Sequence, residues 1–331
     1  MNDEPHRRLA VILCGPLRTA AETAESFKRH VLGDRDAASF YFGPGYTDAP
    51  GAGYGGEIDL FGTFKRNPKS EVTATQPVEE GLLRSIYGEQ LLRWHLHDRP
   101  QSDFVKQSEA VISSKDWLMQ LNPYRMFSMF YNIEGGARLL LEYERESGTR
   151  FDDVIITRPD LAFYSPVEVK PRNGEIHIPK GEGIDINGYP HRGNARVFFY
   201  KNVATGDFVS QGETFNDQFY AFTRDALSPF LSLTEALPRY LDQRVPPSPE
   251  TILYLHLVAR GGLVPVPHPE WTYEIHRRGA PQFRNVADTP AINFVDRSHP
   301  AAIERRRRHP VRSWLRDMLW LARRAVKKVL G

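Results

Sequence analysis

The chain has 331 residues, of which 40% are hydrophobic, 11% aromatic and 25% charged: a globular mixture, long enough for one large α/β domain or two smaller ones. Its single cysteine, Cys14, excludes a disulfide framework and a cysteine-based zinc site within one chain. The net charge of +2 conceals an asymmetry, because residues 301–331 hold ten Arg or Lys against two acids, net +8, which leaves net −6 on the first 300.

The apolar run at 9–14 is too short for the core of a signal peptide, and no stretch approaches the roughly 20 apolar residues of a membrane span. The expectation is a cytosolic protein. That run, apolar at every position, reads as a buried parallel strand. Gly15-Pro16-Leu17-Arg18 turns the chain, and Thr19 with Glu22 three residues on predicts a capping box and a helix over 19–32. Strand, turn and helix open a doubly wound α/β fold.

A second strand is expected at 38–42, followed by a loop at 43–56 with six glycines and two prolines. Residues 57–76 show no period. The spacing of Val78, Leu82 and Ile86 predicts a helix from Pro77 to Trp94, which would put His95 and His97 on different helix faces, unsuited to share a metal. A long helix over 123–147 follows from Met126, Phe130, Ile133, Ala137 and Leu140, stopped by Gly148. The next strand, at 154–157, runs into Arg158-Pro159-Asp160, where proline takes the chain out of the sheet. Short hairpin strands are expected within 165–213, at 175–178 and 196–200. Further strands fall at 219–222 and 263–266, and Ser248-Pro249-Glu250 starts a helix ending at Gly261.

In an open parallel sheet, ligands bind where loops converge at the carboxyl ends of the strands. Three such tips carry polar chemistry. Gly15 permits close backbone approach and Arg18 offers a fork of donors suited to phosphate, although the same residues also read as a plain turn and a solvated arginine. Arg158 adds a second cation for a diphosphate, leaving Asp160 for a metal ion, a ribose or a sugar; a strand-end ion pair is the simpler reading. Asp217, beside Asn216, Gln218 and Glu213, suits a proton acceptor, a sugar contact or an Asx turn. Glu250 and His256 are candidates for acceptor contact, although an acid in a first helical turn and a core histidine explain them as well. The motifs of dinucleotide cofactors, phosphate-cradling loops and helical zinc proteases are missing.

Residues 311–330 carry an apolar helical stripe that includes Trp314, Leu315 and Trp320, flanked by Arg323, Arg324 and other basic residues. This pattern predicts a basic amphipathic helix at 305–331 lying on an anionic membrane. A helix packed on its own domain explains the stripe without the charge. A nucleic-acid arm explains the charge without the tryptophans, so no nucleic-acid partner is expected.

The segments from Leu9 to Thr19, Tyr131 to Leu140, Asp153 to Asp160, Asn216 to Phe219 and Pro249 to Leu253 resemble, in order, blocks of bacterial surface-polysaccharide glycosyltransferase-like proteins of the lipopolysaccharide and capsule type. The resemblance implies a GT-A type, Rossmann-like, mostly parallel catalytic domain over 1–285, then a linker at 286–304 and the tail. It implies a nucleotide-sugar donor and a glycan or lipid-linked acceptor, with the protein peripheral on the inner face of the membrane. Arg158 and Asp160 then match the place of the family's metal-binding acid triplet, with arginine replacing the first acid, so Asp160 would serve with or without Mg2+ or Mn2+. Gly15, Arg18, Arg158 and Asp160 would hold the donor, and Asp217 with Arg158 would carry the chemistry. A non-catalytic sugar- or nucleotide-binding scaffold would use the same fold and tail.

Overall fold

The structure is a computed structural model that describes residues 7–48, 56–58, 64–66, 75–112, 117–118, 124–179, 199–202, 208–210, 217–243, 245, 249–268, 270–271 and 273–276. Asn216, Glu213, Ser248, the linker 286–304 and the whole tail 305–331, with Trp314, Leu315, Trp320, Arg323 and Arg324, lie outside the described residues.

Seven strands form the central sheet: β1 (Leu9–Cys14), β2 (Ala37–Pro44), β3 (Leu91–His97), β4 (Asp153–Thr157), β5 (Glu175–Pro179), β6 (Phe219–Thr223) and β7 (Val264–His268). Their spatial order is 3-2-1-4-6-5-7. Six run in one direction, and β6 alone is reversed, antiparallel to both β4 and β5. The protein is thus α/β with a mostly parallel sheet, compatible with a Rossmann-like fold.

The apolar character of β1 is explained by its central place between β2 and β4, where all six of its residues are buried. Alternation sends Ala10, Ile12 and Cys14 to one face with Phe40, Ile156 and Tyr220. There they meet α4 (Tyr124–Ser147), which follows α3 (Gln101–Ile112) in the chain, through Phe130, Ile133, Ala137 and Leu140. On the other face, Val11, Leu13, Tyr41 and Ile155 pack against α1 (Ala20–Phe27) and α2 (Glu80–Tyr87). Helices on both faces bury the central strands β1 and β4 completely, whereas the edge strands β3 and β7 stay partly exposed. The Gly135-Gly136 pair in α4 permits a tight fit, since a Cβ on Gly136 would lie 2.4 Å from Cγ2 of Ile12.

The strands expected in the central sheet and the long helix stand within a residue or two of their places, and α1 continues as a π-helical turn, Lys28–Leu32, to the expected end; the strand expected at 196–200 falls partly outside the described residues, and the described strand is Phe199–Asn202. Two expectations need correction. The capping box does not form: the Thr19 hydroxyl donates to the His276 carbonyl at 3.0 Å, and Glu22 pairs with the His276 ring at 2.8 Å. The helix predicted to reach Trp94 ends at Tyr87, because Gly88 takes φ +68 and the chain turns into β3. His95 and His97 therefore share a strand face, flanking the Phe42 ring with centroids at 5.0 and 5.6 Å. His97 Nε2 meets Asn132 Oδ1 at 3.1 Å, which makes that histidine a tie between β3 and α4. Short strands also appear at Tyr46–Asp48, inside the expected loop, and at Gly56–Ile58, Phe64–Arg66 and Thr75–Pro77, in or at the ends of the stretch that showed no period. Among the described residues no helix is long and apolar enough to cross a membrane.

Candidate functional site at the strand tips

Parallel pairing brings the carboxyl ends of β1, β2 and β4 side by side, and the reversal of β6 places its start, after Asp217 and Gln218, at the same edge. Three loops distant in sequence thereby become neighbours. The loop after β1 is tightly held. Gly15 adopts φ +104, a conformation side chains disfavour, its N–H donates to Phe42 O at 3.0 Å, and its carbonyl accepts from the Tyr41 hydroxyl at 2.9 Å. Arg18 is the one non-glycine residue with positive φ among those described, at +44, and its N–H donates to Thr47 Oγ1 at 2.9 Å. Such a conformation costs about 1–2 kcal/mol and persists only where surrounding contacts impose it.

The loop after β4 is pinned from two sides. Thr23 of α1 donates its hydroxyl to Pro159 O at 2.8 Å, and the His276 N–H donates to Asp160 O at 2.8 Å. Asp160 is 1% exposed. Arg158 grips it bidentately, Nε to Oδ1 at 2.9 Å and Nη2 to Oδ2 at 3.0 Å, while Arg18 Nη1 donates to Oδ2 at 3.0 Å. One buried carboxylate thus orients two guanidiniums that start 140 residues apart in sequence. The Tyr87 hydroxyl, buried and without a hydrogen-bond partner among the described residues, lies close enough to feel Asp160; burial first and that negative charge second push it far above its ordinary range.

On the β6 side the chemistry is acidic. Enclosure by protein, then the negative charge of Glu250, push the Asp217 carboxyl up to about 7, against the pull of the Arg158 guanidinium. Part of the Asp217 residue still touches solvent. Its carbonyl accepts from the Tyr220 hydroxyl at 3.3 Å. Glu250 stands in the first turn of α6 (Pro249–Leu253), and its charge reaches Tyr220 as well. Two mutually repelling carboxylates that hold a proton near neutral pH suit proton transfer.

Gly15, Arg18, Arg158, Asp160, Asp217 and Glu250 therefore belong to one edge of the sheet. His256 does not join them. Its ring is buried against Tyr240, Ser232 and Pro229 O, and none of these is a strand-tip residue. Asp160 also departs from expectation. Both of its oxygens already accept from guanidiniums, so a divalent cation there would have to displace arginines and sit against their charge. The donor set does not fit a metal, and among the described residues no group of three His, Cys, Asp or Glu is placed to hold one. Tyr41, Tyr87, Thr23 and Thr47 were missed, having no sequence signal beyond ordinary core and turn positions. No protein-family model matches the chain, and no curated protein matches its sequence.

Proposed function

We propose that the protein is a glycosyltransferase of GT-A type, moving a sugar from a nucleotide-sugar donor to a glycan or lipid-linked acceptor in surface-polysaccharide synthesis at the inner membrane face. The observation that carries this reading is the pair of guanidiniums locked on Asp160, one of which, Arg158, also acts by its charge on the Asp217 carboxyl beside Glu250. The strand order 3-2-1-4-6-5-7 with a single reversed strand supports the GT-A assignment.

In the reaction an acceptor hydroxyl attacks the anomeric carbon, the bond from that carbon to the diphosphate oxygen breaks, and the nucleoside diphosphate leaves with the bonding pair. The dominant demand is to stabilise charge on the leaving diphosphate. Arg18 and Arg158 meet it with planar forks that need no reorientation, because Asp160 fixes them beforehand. Asp217 takes the acceptor proton, and Glu250 raises the proton affinity of that base. No step runs through a metal ion.

Purified full-length protein incubated with a panel of nucleotide sugars tests the proposal. Slow donor hydrolysis is expected in the absence of acceptor, reduced about 100-fold or more in Arg158→Gln and Asp217→Asn. Donor binding without hydrolysis or transfer of any sugar would overturn the enzymatic reading in favour of a scaffold.

A further inference from the structure

Far from the strand tips, a cavity of about 480 Å3 opens between the 3-10 stretch Arg224–Ser232, helix α5 (Leu233–Asp242) and the π-helical turn Tyr254–Arg260. Its size falls in the range of small-molecule sites. The reversed strand β6 delivers the chain to the amino edge of the sheet before the 3-10 stretch begins, and Gly261 leads back into β7 at that edge. A strand length of about 15 Å separates this edge from the tips that carry Arg158.

The helices that line the cavity are tied together by His256. His256 Nε2 donates to Pro229 O at 2.8 Å, so its Nδ1 accepts the Tyr240 hydroxyl at 3.0 Å. Burial holds the imidazole below its ordinary range, hence neutral. The π-helical turn that carries His256 is a geometry found often at functional sites. Arg260 lies 4.6 Å over the Tyr240 ring and donates to Gln243. Neither Arg260 nor Arg239, both exposed at the mouth, has a carboxylate partner among the described residues. Glu235 is the single acid in the lining, beside the hydroxyls of Ser228 and Ser232. Two guanidiniums select for an anion. A carboxylate and hydroxyls next to them disfavour a bare polyanion and suit a ligand that also carries hydroxyl groups.

The geometry points to a second ligand site in this cavity, for a small molecule of the sugar-phosphate class, with its phosphate on Arg239 and Arg260 and its hydroxyls toward Ser228, Ser232 and Glu235. The site is independent of the strand-tip chemistry. Isothermal titration of the full chain with glucose 6-phosphate at physiological salt, with inorganic phosphate for comparison, tests it. Saturable binding is expected in the native protein and in Arg158→Gln, with hexose phosphate tighter than phosphate. Weakening by about tenfold or more is expected in the Arg239→Gln/Arg260→Gln double variant and in Ser228→Trp, which fills the mouth. Thermal unfolding checks that each variant is folded; these positions are exposed, and Ser228→Trp decides alone if the double variant unfolds. The His256 imidazole resonance, assigned by its loss in His256→Gln, should shift on titration. Failure to saturate by about 10 mM, binding that persists with the mouth filled, or loss of binding in Arg158→Gln would overturn the proposal.

Discussion

Asp160 and its two arginines form an asymmetric set, in which a carboxylate with 1% exposure serves two side chains that are each 23% exposed. Replacing a buried counter-ion leaves its partners desolvated and unpaired, which typically costs about 3–5 kcal/mol. Because the arginines keep some water contact, Asp160→Asn should fall near the lower end, about 3 kcal/mol, read as a lower denaturation midpoint at unchanged m. Donor affinity should fall with it, since the forks lose their orientation. Asp217 makes a separate prediction about pH. A base must be unprotonated, so kcat/KM should rise with pH through about 7, the value to which enclosure and Glu250 push this carboxyl. Glu250→Gln removes one of the two causes of the rise and should move the midpoint downward, while Asp217→Asn should abolish that limb. Stability runs the other way. A carboxyl whose folded pKa is raised favours the folded state below its unfolded value, and the advantage is lost as pH rises through about 7. Asp217→Asn should therefore raise Tm at pH 8 and change it little at pH 4.

Elements differ in how far local sequence announces them. The all-apolar strand β1 and the 24-residue helix α4 were legible because burial on two faces, or on one helical stripe, leaves an unambiguous period. Strand β3 was not, since Leu82, Ile86 and Leu91 also fit a helical spacing; what makes 91–97 a strand is the exposed edge of β2, which lies about 50 residues earlier. The same limit governs the site. Tip positions could be predicted from where strands end, but the Arg18–Asp160 contact spans 142 residues and depends on the pairing of β1 with β4. The strain at Arg18 has no sequence signature. Thr19 and Glu22 fit a capping pattern, yet His276, from a segment beyond the last sheet strand, takes both side chains. Histidines join elements in three other places: His97 ties β3 to α4, His177 ties β5 to β7 through His268 Nε2 at 2.8 Å, and His256 ties the π-helical turn to α5. Burial is the leading cause that lowers the pKa of each, so the unfolded chain, with values near 6.5, binds more protons as pH falls. Their stabilising contribution is present above that value and is lost as pH drops toward the folded values. Asp217 acts in the opposite direction over the same range, so the histidine effect is read in the Asp217→Asn background, where Tm should fall from pH 7 to pH 5 and His97→Gln should flatten part of that slope.

At the scale of the whole chain, charge is divided rather than balanced. The first 300 residues carry net −6 and would be repelled by an anionic bilayer, whereas residues 301–331 carry net +8. If the tail seeks lipid, two energies should separate cleanly. Each basic residue near an anionic surface contributes about 1 kcal/mol, a term that salt screens and that neutral lipid does not supply. Apolar burial of Trp314, Leu315 and Trp320 contributes on either kind of lipid and is insensitive to salt. Arg323→Gln/Arg324→Gln in the full chain should therefore weaken partitioning onto phosphatidylglycerol vesicles by about 2 kcal/mol, roughly thirty-fold, and leave weak binding to phosphatidylcholine unchanged. Trp314→Ala/Trp320→Ala should weaken both. Sedimentation with vesicles at low and high salt distinguishes the two contributions. Equal loss on neutral and anionic vesicles in the arginine variant would contradict the electrostatic half of the anchor. An unchanged partition in the tryptophan variant would contradict the apolar half and leave a purely charged arm, which has no need of the stripe the sequence maintains to its last turn.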